Sequence, residues 1–307
     1  MFQTKDHFEF SKHRRGDSLA PPGTPGRCEG MPPEFASEMD WRKQVWDAGN
    51  PAHAVQLFDN PLAVTEAADG TNWENDVVGA AGTITFDVNG HPPFFRIQTP
   101  AVDGQGHQMQ ASVGTRELID FSDGSVLQPF ELFMGLVARF TDAADDDDTV
   151  EQMRFFFGAA PIDTSILTAV DDAVGLYSGD ASGNLSLVSD DDSGDLGSYT
   201  NTKLVQDLST GSGAGDNTNV SGEWFQAGFK LGVLDQTNNA GYIHGFFYSG
   251  RKPSPGHFPP FVKATMALAE VPDQPLAPTL AFATGEGVLK RLDVAKIVVG
   301  TRYLFGV

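Results

Sequence analysis

The chain is predicted to be all-β, an antiparallel sandwich with an extended N-terminal arm and one short helix. Three observations predict it. From about residue 75 onward, apolar and polar residues alternate in short runs, the period of half-buried strands. Turn-rich gaps separate those runs: the chain holds 34 Gly and 19 Pro, residues that punctuate strands and break helices. No helical pattern of 12 or more residues intervenes among the strands, which disfavours a parallel α/β layout. No internal repeat at a period of about 20–50 residues argues for a propeller or solenoid.

Residues 1–36 differ from the rest. "SLAPPGTPGRCEGMPPEF" is dense in Pro and Gly, so it forms neither helix nor ladder and builds no core alone. Phe2, Phe8 and Phe10, with the basic run Lys12, His13, Arg14 and Arg15, favour an arm that becomes ordered on a partner over a plain linker. "SEMDWRKQVWDAG", residues 37–49, carries the helix signal. Ser37 can cap it, Asp40 follows three residues on, and Gly49 can close it. Trp41 and Trp46 are expected in arm or oligomer packing. The expected division is arm plus helix over 1–60 and sandwich over 61–307.

Within the sandwich, "AGTITFDVNGHPPFF" sets Ile84, Phe86 and Val88 against Thr83, Thr85 and Asp87, with Asn89-Gly90 as a turn. "PFELFMGLVARFTD" puts Phe130, Leu132, Met134, Leu136, Ala138 and Phe140 on one face; the other face is mixed, with Phe133 and Arg139. "MRFFFG", "VGLYSG" and "LSLVS" continue the series. "EWFQAGFKLG" and "GYIHGFFYSGRKP" read as a hairpin. Phe225, Phe229 and Leu231 would share the core with Ile243 and Phe247, and Gly241 and Gly245 would leave room for the bulky phenylalanines opposite. "LDVAKIVVGTRYL" closes the sheet.

The hairpin leaves an outer strip of Tyr242, His244, Phe246 and Tyr248 that needs a cover: a glycan, a neighbouring subunit or the chain's own N-terminal segment. A protein cover is favoured. The glycan alternative is a platform of Trp224, Tyr242, His244, Phe246 and Tyr248, since sugar faces stack on aromatic rings beside a few polar groups.

Composition narrows the partners. Forty-one acids against 20 bases give a net charge of −21, which disfavours nucleic acid and anionic membranes. One cysteine, Cys28, permits no internal disulfide and no cysteine-based zinc site. The polar start "MFQTKDHFEFSKHRRGDS" is no secretory signal, and no apolar run is long enough for a membrane span, so folding in a cytoplasm is expected.

The chemistry-bearing clusters are weak. Glu117 and Asp120 in "ELIDFSD" are three residues apart, so on one strand they face opposite ways and cannot straddle a glycosidic bond; Asp123 follows in a turn. The acidic runs "TDAADDDDTVE" and "SDDDSGD" lack the order of a calcium loop and read as solvated loops that discourage edge pairing. Seven scattered His show no metal-ligand spacing, and there is no G-x-S-x-G elbow. "GSGAGDN" lacks the Lys and helix of a phosphate loop, and Arg15-Gly16-Asp17 is a three-residue match. No catalytic residue, metal ligand or cofactor is expected.

The order of parts over about 125–303 resembles concanavalin-A-like (laminin-G/lectin-type) jelly-roll sandwiches: the long strand "PFELFMGLVARFT", "VGLYSG" with a Gly-rich hairpin, "GEWFQAGFKLG", "GYIHGFFYSGRKP", "PLAPTLAFATGEG" and the closing "LDVAKIVVGTRY". Preceded by an arm, such a sandwich is similar to virion structural proteins of tailed bacteriophages. That resemblance implies a non-enzymatic capsid decoration (cement) protein on the virion exterior. It would be a homo-oligomer, dimer or trimer, bridging major capsid protein subunits. Phe8, Phe10, Arg14 and Arg15 would make the contact. The alternative is a carbohydrate-binding lectin-like module of a virion or tail fibre; a glycoside hydrolase on the same fold ranks third.

Overall fold

Alternating apolar residues become fifteen strands in the computed structural model, counted among the residues it describes: 54–58, 73–79, 82–87, 89–90, 94–111, 130–142, 153–161, 167, 172–179, 185–190, 202–205, 224–235, 240–249, 261–266, 271–272 and 274–303. In chain order they are β1 (Ala54–Phe58), β2 (Trp73–Val78), β3 (Thr83–Asp87), β4 (Phe94–Gln98), β5 (Gly106–Ala111), β6 (Phe130–Asp142), β7 (Met153–Ala160), β8 (Ala173–Ser178), β9 (Leu185–Asp190), β10 (Thr202–Val205), β11 (Phe225–Asp235), β12 (Ala240–Ser249), β13 (Phe261–Met266), β14 (Ala277–Thr284) and β15 (Lys290–Tyr303).

They form two antiparallel sheets. Sheet A runs β13-β12-β11-β6-β15-β4-β3, with β1 also on β15; sheet B runs β10-β9-β8-β7-β14-β5-β2. The two orders match position by position. β2 and β3, β4 and β5, β6 and β7, and β14 and β15 hold corresponding places in the two sheets, so the chain arches repeatedly from one layer to the other. This is the wrapped connectivity of a jelly-roll sandwich, and the all-β class read from the sequence holds. Pairing begins at β1, before residue 61. The predicted helix at 37–49 and the arm at 1–36 lie outside the described residues.

The inward faces follow the predicted alternation. Leu132, Met134, Leu136, Ala138 and Phe140 of β6, and Phe225, Ala227, Phe229 and Leu231 of β11, are fully buried. Ile243 and Phe247 of β12 join them in one core with Leu176, Leu187, Leu280 and Phe282 of sheet B. Phe140 is the hub: its ring stacks on Phe225 at 5.0 Å and meets Phe155 edge-on at 5.4 Å. The hairpin is present, with Phe225 opposite Ser249 and Leu231 opposite Ile243. The space left by Gly245 is taken by Leu187 from the other sheet; a Cβ there would lie 2.6 Å from the leucine methyl. Asn89-Gly90 turns between β3 and β4, with both backbone N–H groups donating to Asp87 Oδ1 at 3.0 and 2.8 Å.

Two features depart from simple alternation. In β15, Val294 pairs with Ala138 and Lys296 with Val137, leaving Ala295 as a bulge. The extra residue lets Leu292 and Val294, then Ile297 and Val299, all face inward despite their odd spacing. Both faces of sheet B are also covered. Its outer side holds a second apolar cluster of Phe156, Ala160, Leu167, Ala173, Val188, Ala281 and Ala283. Beside it lies a buried polar ladder in which Gln108 donates to Gln110 at 3.2 Å and Gln110 donates to Thr279 at 3.0 Å.

His107 of β5 is 2% exposed, and burial lowers its imidazole pKa from the ordinary 6.5. The folded state thus resists a proton that the unfolded chain accepts. The associated stability is complete above pH 6.5 and is lost as pH falls from there through the folded pKa. Unfolding midpoints across pH 7.5 to 5 should show wild type losing up to about 1.4 kcal/mol per pH unit more than His107→Gln. Parallel curves would refute it.

Candidate functional site

Three strands far apart in sequence bring one charged row together on the outer face of sheet A. Phe95 and Ile97 point inward, so Phe94 and Arg96 point outward; Leu292 and Val294 do the same for Asp293, and Ala138 and Phe140 for Arg139. The register then aligns them, with Arg96 opposite Asp293 and Asp293 opposite Arg139. Trp224 precedes Phe225, whose partner is Ala138, and so stands beside Arg139.

Asp293 is 0% exposed and accepts four hydrogen bonds. Arg96 donates as a fork, Nε to Oδ1 at 2.6 Å and Nη2 to Oδ2 at 2.9 Å. Arg139 places Nε at 3.1 Å and Nη2 at 2.5 Å from Oδ2. Two guanidiniums share this one carboxylate. The side chains of Arg96 and Arg139 are 21% and 25% exposed, so both guanidiniums reach solvent.

Aromatic rings hold the guanidiniums in place. Arg139 Cζ lies 5.0 Å from the Trp224 centroid and 5.5 Å from that of Phe94. Arg96 sits 5.5 Å over the same phenylalanine, and Phe94 meets Trp224 edge-on at 5.7 Å. Phe94 is buried and Trp224 half-buried. Arg139 Nη1 and the Trp224 indole N–H make no hydrogen bond among the described residues. The arrangement can therefore offer an indole surface and guanidinium donors side by side, one from within β6 and the other from the residue before β11.

Further basic residues lie on the same face. Lys230 pairs in register with Phe133, Arg291 with Thr141, and Lys296 with Val137. With Arg96 and Arg139 that makes five basic residues among the described residues of this face. Arg291 Nε donates to Gln98 at 3.0 Å. Lys230 is 1% exposed and Phe133 2%, so this end of the face is covered.

Of the sequence-predicted site residues, Trp224 lies in this cluster. His244 is half-buried and paired in register with Lys230 and Lys263. Tyr242, Phe246 and Tyr248 have defined strand positions, but their side chains lie outside the described residues. Tyr242 is seven residues from Ser249, the partner of Phe225, which is about 23 Å along the strand. Trp224 and Tyr242 therefore stand at opposite ends of the strand pair. Phe8, Phe10, Arg14, Arg15, Trp41 and Trp46, and the acids Glu117, Asp120 and Asp123, fall outside the described residues. Sequence reading did not single out Phe94, Arg96 or Asp293, and noted Arg139 only as part of a mixed face. The available signal was a lone charge between inward apolar residues, present three times. Among the described residues no group of three His, Cys, Asp or Glu could hold a metal ion.

No protein-family model matches the chain, and no curated protein matches it. Among solved structures it is similar to arcelin-5, a lectin-like defense protein from Phaseolus vulgaris, with TM-score 0.48 and 11% identity over 76% of this chain and 93% of that one. It is also similar to peanut lectin, with TM-score 0.47 and 11% identity over 82% and 99%. For the exoplasmic/lumenal domain of VIP36, solved with Ca2+ and Man3GlcNAc, the TM-score is 0.44 and the identity 6%, over 83% and 92%. At these values the likeness says nothing of what this chain binds.

Proposed function

We propose that this chain is a non-enzymatic carbohydrate-binding module whose ligand lies on the outer face of sheet A against Trp224 and Arg139. The observation that carries the reading is the half-buried indole held against a guanidinium that keeps donors in hand. A sugar ring needs that combination: an apolar face to receive its C–H groups, and fixed polar groups at its edge for the hydroxyls. Arg139 lies within β6 and Trp224 directly precedes β11, so little ordering is left to oppose binding.

Bridging of capsid subunits by an N-terminal arm depends on Phe8, Phe10, Arg14 and Arg15, which lie outside the described residues. Nothing on the two sheets favours it over the glycan reading.

The test is a glycan array with the whole chain and with Trp224→Ala. Wild type should bind a defined subset of glycans at millimolar affinity or better, and the variant should lose at least about tenfold while keeping its unfolding midpoint within ~1 kcal/mol of wild type. An array without hits, or binding indifferent to the substitution, would sink the proposal.

A further inference from the structure

We infer that Asn89 is a deamidation site, converted by water to aspartate or isoaspartate with loss of ammonia, and that Asp87 holds the reaction back. This is independent of the carbohydrate reading. Asn-Gly occurs once in the chain, at 89–90, in the turn between β3 and β4. Asn89 is exposed, and its carboxamide makes no hydrogen bond among the described residues. Gly90 has no side chain to hinder approach to its own backbone nitrogen. An open carboxamide thus stands next to an unhindered nitrogen, with water at hand.

In the reaction the Gly90 nitrogen bonds to Asn89 Cγ, the Cγ–Nδ2 bond breaks, and the proton given up by Gly90 leaves with the ammonia. Water then opens the resulting succinimide at either carbonyl. The nitrogen attacks only as its N–H is surrendered. In the fold that N–H donates to Asp87 Oδ1 at 2.8 Å, and the Asn89 N–H donates to the same oxygen at 3.0 Å. A carboxylate there opposes the negative charge that builds on the nitrogen, and the two bonds together fix the peptide unit that has to turn. The product adds a carboxylate two residues from Asp87, in the turn that leads to β4, the strand of Phe94 and Arg96.

The experiment is peptide mass mapping of the whole chain after incubation at neutral pH, wild type beside Asp87→Ala, Asp87→Asn and Asn89→Gln. Folded wild type should deamidate at Asn89 more slowly than the same chain in guanidinium chloride. Asp87→Ala should raise the folded rate about fivefold, the worth of one ordinary hydrogen bond. Asp87→Asn keeps an acceptor oxygen without the charge and should fall between the two. Asn89→Gln should give no product at this position. Isomerisation at the exposed Asp103-Gly104, whose glycine N–H donates to the Thr284 carbonyl at 2.8 Å, passes through the same ring and should not change. An equal or slower rate in Asp87→Ala would overturn the restraint by Asp87. A rise at both glycine sites would trace the gain to a loosened fold and overturn it equally. No product at Asn89 in either folded or unfolded chain would overturn the site itself.

Discussion

Replacing Asp293 by alanine is expected to destabilise the fold by about 3 kcal/mol, because breaking one partner out of a buried charge cluster strands the others. The carboxylate is fully buried and accepts all four hydrogen bonds that tie Arg96 of β4 and Arg139 of β6 to β15. Without it, two guanidiniums face each other across the central strand. Their partial exposure lets water relieve some of the repulsion, which holds the loss at the low end for a buried pair. Asp293→Asn keeps the shape and the acceptor oxygen, and should cost less than half as much. Replacing all three charges by apolar residues of similar size should be milder still than Asp293→Ala, since no charge is then left unpaired. That triple variant should nonetheless lose ligand binding. Urea midpoints of the single and triple variants decide the matter. An Asp293→Ala midpoint equal to wild type would mean that the row does not hold the sheet.

Phe140→Ala should cost about 4 kcal/mol, the range for deleting a phenyl ring from a packed core. The ring is 1% exposed and touches Phe225 and Phe282 by stacking and Phe155 edge-on, so it fills the joint between the sheets. These neighbours are held by separate strands and cannot collapse into the cavity together. Phe140→Leu keeps most of the apolar volume and should cost about 1.5 kcal/mol. Similar losses for the two variants would show that the ring's shape, rather than its volume, is what the core requires.

The strands were legible where apolar residues alternate with polar or small ones. In β6 and β11 the described residues named inward from alternation belong to the main core, although Phe133 and Lys230 on the other face are buried as well, and the β11–β12 hairpin pairs as expected. The rule weakens where both faces are covered. Phe155, Phe156 and Phe157 in "MRFFFG" carry no alternation because the first and third enter the main core and the second enters the outer cluster of sheet B. It also weakens at Ala295, where an unpaired residue shifts the register within an otherwise continuous run. The charged row was illegible for a different reason. Arg96 and Asp293 are 197 residues apart and Arg139 and Asp293 are 154 apart. Only the sheet order, with β15 between β4 and β6, makes them neighbours. Trp224 was legible as one member of an aromatic platform; in the fold it stands beside Arg139, with Tyr242 toward the far end of β12.

The most direct test of the ligand site is the indole N–H resonance of Trp224 in a nitrogen-15 labelled sample. The chain has four tryptophans, so one signal can be assigned by its disappearance in Trp224→Phe. Titration with the tightest-binding glycan should shift that signal progressively and saturably, along with the side-chain Nε–H of Arg139, while the other three indoles stay in place. A saturable shift confined to other indoles, with the Trp224 signal unmoved, would contradict a site on the outer face of sheet A.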